Sequence, residues 1–185
     1  MKDTIHFMLD IETFGTTPGS IIDQIGYALF TEKEIIRTGL LELPVAPAAR
    51  AGFTHSTQTD NWRHENGLNT IKEATALSTK DTWADLCQAM SAFFFTYQCC
   101  SVDWVWQKGE MDVRLLNVYL LRTIGLQSGL SEYWRINDVR TFLRTHNYEE
   151  IKRNTHNAEA DAINQAESLI YCWQQTGSSY SKPRK

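Results

Sequence analysis

A chain of 185 residues with 42% hydrophobic content has room for one domain and a sizeable core. Its net charge of −4 excludes the strongly basic surface of a general polyanion binder, so any nucleic-acid contact has to rest on captured cations or local patches. No apolar run approaches membrane length, and the start MKDTIHFMLD has no stretch long enough for a signal peptide, which predicts an intracellular protein with no membrane partner.

Taken in order, residues 5–9 are a short apolar run ending in Asp10, the pattern of a buried strand. Thr16, Pro18 and Gly19 mark a turn, and residues 21–30 and 35–43 read as two further strands. Three strands joined by short turns predict an antiparallel meander. Pro44 and Pro47 then break the pattern, and residues 54–69 are polar with Trp62 embedded. Ser78 is expected to cap a helix carrying Leu86, Met90 and Phe93 at helical spacing. Residues 102–106 predict a fourth strand. Residues 111–124 form an amphipathic helix stopped by Gly125. A last strand is expected over 133–136, a short helix capped by Asp138, and a final helix over 158–173 ended at Gly177. This succession of elements is mixed α/β. The domain is expected over residues 1–176, with 177–185 a flexible basic tail.

Cys87, Cys99, Cys100 and Cys172 include no C-x-x-C pair and are expected to be reduced and mostly buried. Six Trp, seven Tyr and eight Phe exceed what a core of this size needs, so some are expected to line a surface groove.

The strongest chemical feature is Asp10-Ile11-Glu12 at the end of an apolar strand. Side chains two apart on a strand share a face, and their Cα atoms lie about 7 Å apart, so both carboxylates can converge on a hard cation. A solvated strand edge carries such pairs too. His156 and Asp161 stand five apart, the histidine before the final helix and the acid in its first turn. An imidazole, with an ordinary pKa of about 6.5, suits proton removal near neutral pH. Asp161 and Asp112, which opens the 111–124 helix, also have a simple role as first-turn acids. Three segments offering acids at strand ends and helix starts gather on one rim of an α/β sheet, where ligands bind.

Met8-Leu9-Asp10-Ile11-Glu12-Thr13, followed by Gly15-Thr16 and Ile25-Gly26, resembles the first motif of the DEDDh 3′–5′ exonucleases. It is similar within them to the branch of exonuclease VIII-like enzymes of phage and bacteria and mycobacterial-type exoribonucleases. Residues 106–112 resemble that branch's second motif, with Gln107-Lys108 where the branch carries Gly-Asn. Asp138-Val139-Arg140-Thr141 resembles a segment preceding the third, and His156-Asn157-Ala158 with Asp161-Ala162 and Gln165-Ala166 resembles the third in its histidine-bearing form. The resemblance implies an RNase H-like fold, a mixed five-stranded sheet flanked by helices. It also implies two Mg²⁺ or Mn²⁺ ions held by Asp10, Glu12, Asp112 and Asp161, with His156 as base. The substrate it implies is the 3′ end of single-stranded DNA or RNA, cut to nucleoside 5′-monophosphates. The terminal nucleotide would be held by the Thr13 backbone, with the Phe14 ring stacking on the last base and Trp62 available for a second; burial in the core is the competing role for both rings. Dimerisation occurs in similar enzymes, so the resemblance allows a homodimer. Three other readings stay open from the residues alone: an end-binding module that does not cut, a metal phosphoesterase for small nucleotides, and an interaction protein whose acids merely decorate its surface.

Overall fold

The computed structural model describes residues 3–151 and 156–180. Its centre is the mixed five-stranded sheet that the sequence predicts, in the order β3-β2-β1-β4-β5. Strands β1 (His6–Thr13), β2 (Ile22–Phe30) and β3 (Ile35–Glu42) form the antiparallel meander. Strands β4 (Trp104–Gln107) and β5 (Ile136–Asp138) add to β1 in parallel. β1 runs past its apolar stretch, pairing Asp10 with Gly26 and Glu12 with Gln24, so both acids sit inside the pleat. A register irregularity between Glu12 and Thr13 ends the regular ladder just beyond them.

Seven helices are described around this sheet, and they divide between its faces. On one side Phe7, Leu9, Ile11 and Val105 meet α4 (Trp83–Cys99) and α5 (Met111–Ile124) through Leu86, Met90, Phe93, Leu116 and Leu120. On the other, Met8, Ala28 and Trp106 meet α6 (Val139–Thr145) and α7 (Ala158–Thr176) through Val139, Leu143, Ala162, Ala166 and Leu169. Each such large apolar side chain contributes about 1.5–3 kcal/mol when fully buried. The period of two assigns faces along β1: Phe7, Leu9 and Ile11 point to α4 and α5, while His6, Met8, Asp10 and Glu12 point toward α7.

The region after β3 departs from the sequence reading. Residues 44–77 fold as three short helices, α1 (Val45–Arg50), α2 (Thr57–Glu65) and α3 (Ile71–Leu77). Pro44 sits at the N-cap and Pro47 in the first turn of α1, where no intrahelical N–H is needed, so both prolines are compatible with a helix. Ser56 caps α2 by accepting from Thr59 N at 3.3 Å, and Thr70 with Glu73 forms a reciprocal capping box on α3. Ser78 does not cap the following helix; it ends α3, donating to Ala74 O at 3.0 Å and accepting from Ala46 N at 2.8 Å. Thr82 and Asp85 make the capping box of α4 instead. The expected strand over 133–136 is a 3₁₀ turn, Tyr133–Arg135, with strand pairing only from Ile136. Gly125 and Gly177, both left-handed, terminate α5 and α7 as expected.

All four cysteines are free, but only Cys172 is buried; Cys99 is exposed and the other two are half-buried, because they fall on the outer turns of α4 rather than its core stripe. Of the expected basic tail, residues 181–185 lie outside the described residues. Tyr180 packs against Trp104 and Trp106 at ring separations of 5.0 and 5.1 Å, and its hydroxyl donates to Asn137 Oδ1 at 2.7 Å. No described helix is long and apolar enough to cross a membrane.

Candidate metal and active centre

Asp10 and Glu12 reach their neighbours because β2 carries Gly26 opposite Asp10. A Cβ there would fall 2.0 Å from the Ala158 carbonyl carbon, so only glycine lets the first turn of α7 lie on the sheet. Asn157 caps that turn, accepting from Ala160 N at 3.0 Å, and Gln24 accepts from Ala158 N at 3.3 Å. The docked turn delivers Asp161 to the acids of β1. Asp10, Glu12 and Asp161 each offer a carboxylate oxygen, all within 4.8 Å of one another. One turn on, Gln165 is 1% exposed and donates Nε2 to Asp10 Oδ1 at 2.7 Å.

Asp112 arrives from the neighbouring strand. Chain leaving β4 turns at Gly109, with φ of 87°, and enters α5 with Asp112 in its first turn. Gln107, in the position where the second motif departs from the expected letters, is buried and accepts from Val113 N at 2.9 Å, fixing the start of that helix. Asp112 is 5% exposed and accepts a hydrogen bond from the Lys108 backbone.

These carboxylates are held away from their ordinary ionisation. Burial raises Asp10 well above the usual carboxylate range, with the Asp112 charge adding to the effect and the Gln165 bond opposing it. Glu12 is pushed up to about 7, again chiefly by burial, although Arg63 opposes it. Asp112 reaches about 7 by burial, against the Lys108 backbone bond and the charges of Arg140 and Lys108. The donor set fits a divalent cation: it is all carboxylate oxygen, it converges, and the nearby positive charge of Arg63 does not offset the desolvation of its ionised form.

The centre opens onto a groove of about 440 Å³ lined by Glu12, Thr13, Thr16, Ser56, Trp62 and Met111. Trp62 is 42% exposed on α2, so its competing role as a core residue is overturned. The His156 ring, on a residue with φ of 43° just before α7, meets the Trp62 ring edge-on at 5.1 Å. Phe14 is corrected in the opposite sense. It is fully buried, with the Arg63 guanidinium 4.0 Å over its ring, and has no face to offer a base. Thr13 keeps its place in the groove wall; its Oγ1 donates to Gly15 O at 2.7 Å and its carbonyl accepts from Arg63 Nη1 at 3.3 Å.

Arg63 and Gln165 are the residues that site reasoning from the sequence missed. Arg63 is 3% exposed and ties Asp23, at 2.5 Å, and Asn69 O, at 2.9 Å, to Thr13. An arginine in a polar stretch carries no signal of burial. Gln165 stood in the third-motif letters, four residues after Asp161, and that helical spacing was its signal.

The 3′–5′ exoribonuclease Rv2179c-like domain model matches residues 5–173. The chain belongs to that family. Among solved structures it is similar to cell-death related nuclease 4 (CRN-4), with a TM-score of 0.58 and 12% identity, covering 95% of this chain and 65% of that one. The domain thus spans just under two thirds of the nuclease it matches, and at that identity the likeness is one of fold. No curated protein matches the chain.

Proposed function

We propose that this domain is a metal-dependent DEDDh 3′–5′ exonuclease on an RNase H-like fold, hydrolysing single-stranded nucleic acid from its 3′ end to nucleoside 5′-monophosphates. One observation carries the reading: Asp10, Glu12 and Asp161 converge within 4.8 Å at the mouth of a groove walled by Thr13 and Trp62. The exoribonuclease description of the family and the nuclease named in the fold match support it.

Asp10, Glu12, Asp112 and Asp161 would hold the two Mg²⁺ or Mn²⁺ ions. When bound, such ions stabilise charge on the attacking and leaving oxygens of an in-line displacement. His156 takes the proton from the attacking water. The water oxygen bonds to the terminal phosphorus and the bond to the 3′ oxygen of the preceding nucleotide breaks, leaving the phosphate on the released nucleotide. The Thr13 backbone holds the terminal 3′-hydroxyl end, and the exposed Trp62 ring provides a stacking face for a base. Gln165 fixes Asp10 in one orientation by its 2.7 Å bond.

The decisive experiment incubates 5′-labelled single-stranded RNA and DNA of equal length with and without Mg²⁺. A ladder shortening from the 3′ end, blocked by a terminal 3′-phosphate, is expected. Internal cutting, or turnover confined to small nucleotides, would reject the reading.

A further inference from the structure

A second set of basic side chains approaches the acid centre from its β4–β5 side, where the charges of Arg140 and Lys108 act on Asp112. A cleft of about 490 Å³ lies there, lined by Lys108, Arg140, Leu143, Arg144 and Tyr148, with Glu149 and Glu150. Glu150 is neutralised by Lys108 at 2.7 Å. Arg140 and Arg144 are exposed, stand one turn apart on the same face of α6, and form no ion pair or side-chain hydrogen bond among the described residues. Two guanidinium groups in one cleft offer forked donors suited to phosphate oxygens. The cleft is also fixed to the acid centre. Gly109 N donates to Asp138 Oδ2 at 2.5 Å, and Asp138 caps α6 by accepting from Thr141 N at 2.7 Å. The turn that delivers Asp112 is therefore bonded to the start of the helix that delivers Arg140.

We infer that this cleft is a phosphate track, in which Arg140 and Arg144 hold the backbone of the substrate strand 5′ of the bond that is cut. The inference rests on the exonuclease reading. It gives a chain of net charge −4 a local patch for a polyanion, and makes affinity depend on strand length. Lys108 and Arg140 are left out of the test because the Lys108 backbone bonds Asp112 and the Arg140 charge acts on it.

The test compares wild type with Arg144→Gln, which leaves the Arg140 charge beside Asp112 in place, on a single-stranded dodecamer and a dinucleotide of the same sugar. The dinucleotide has no backbone to fill the track. For the dodecamer, kcat/KM is expected to fall about threefold, and the slope of log affinity against log salt to become shallower by about 0.7, the loss of one phosphate contact. The dinucleotide rate should stay unchanged. Equal losses on both substrates, or none on the dodecamer, would overturn the track. If wild type cuts neither, the exonuclease reading fails, and the track is judged by fluorescence anisotropy of a 5′-fluorescein dodecamer. Weaker binding by Arg144→Gln then supports it, and equal binding overturns it.

Discussion

The two ends of β1 face the same side of the sheet, one fully buried and the other largely withdrawn from water beside a groove, and they do different things with that burial. At the first end His6 is fully buried between Phe30 and Trp173, at ring separations of 5.2 and 4.9 Å. Its Nδ1 accepts from Trp106 Nε1 at 3.0 Å. Burial lowers its pKa to about 4, against a small opposing pull from Asp103. At the other end burial raises Asp10, Glu12 and Asp112. A desolvated ring among aromatic neighbours simply stays neutral. Desolvated acids that repel one another beside an open groove stay ready for an external cation. Desolvation is therefore no mark of function by itself; convergence and access are.

The comparison breaks most sharply with Asp10→Asn or Asp161→Asn, which should abolish cleavage while leaving the circular dichroism spectrum and melting temperature of the metal-free protein undiminished. Turnover retained in either variant would remove the carboxylates from the chemistry. His156→Ala should slow the metal-saturated reaction by about 10²–10⁴-fold. A fully active variant would assign the base elsewhere.

The two ends should also pull stability in opposite directions with pH. Glu12 and Asp112, at about 7 in the folded chain, hold protons that the unfolded chain gives up near pH 4, so metal-free stability falls as pH rises through that window. Asp112→Asn should then raise metal-free stability at pH 8 by ~2 kcal/mol, measured by urea unfolding in chelator, and Mg²⁺ should stabilise wild type far more than the variant. His6, at about 4 when folded, refuses a proton that the unfolded chain accepts below about 6.5. It should therefore cost the fold ~3 kcal/mol as pH falls between those values, and His6→Asn, which keeps an acceptor for Trp106, should flatten that loss. A pH profile unaffected by either substitution would show that the two ends do not differ as described.

The smallest effect concerns the groove. Trp62→Ala should raise KM about tenfold with kcat little changed, and Trp62→Phe should restore most of it, because stacking contributes ~1–3 kcal/mol per base. An unchanged KM would separate the groove from substrate.

Local pattern was enough to read β1 to β3, the helix over 111–124 and the helix opened by Asn157, since alternation, helical period, a capping side chain and a left-handed glycine act within a few residues. The pairing of Asp10 with Glu12 on one face followed from the same period of two. What those acids meet depended on contacts far apart in the chain. Gly26 makes room for Ala158 across more than a hundred residues, and Arg63 buries itself against Phe14 and Asp23, closing one ring while Trp62 beside it stays in solvent. The helices between residues 45 and 77 were equally illegible: α1 is apolar but carries Pro44 and Pro47, which read as breakers, and α2 and α3 each bury a single residue and show no apolar stripe. Sequence by itself determined which side chains could carry the chemistry; tertiary packing decided which were brought together and which were closed off, because burial and convergence are properties of the space between segments.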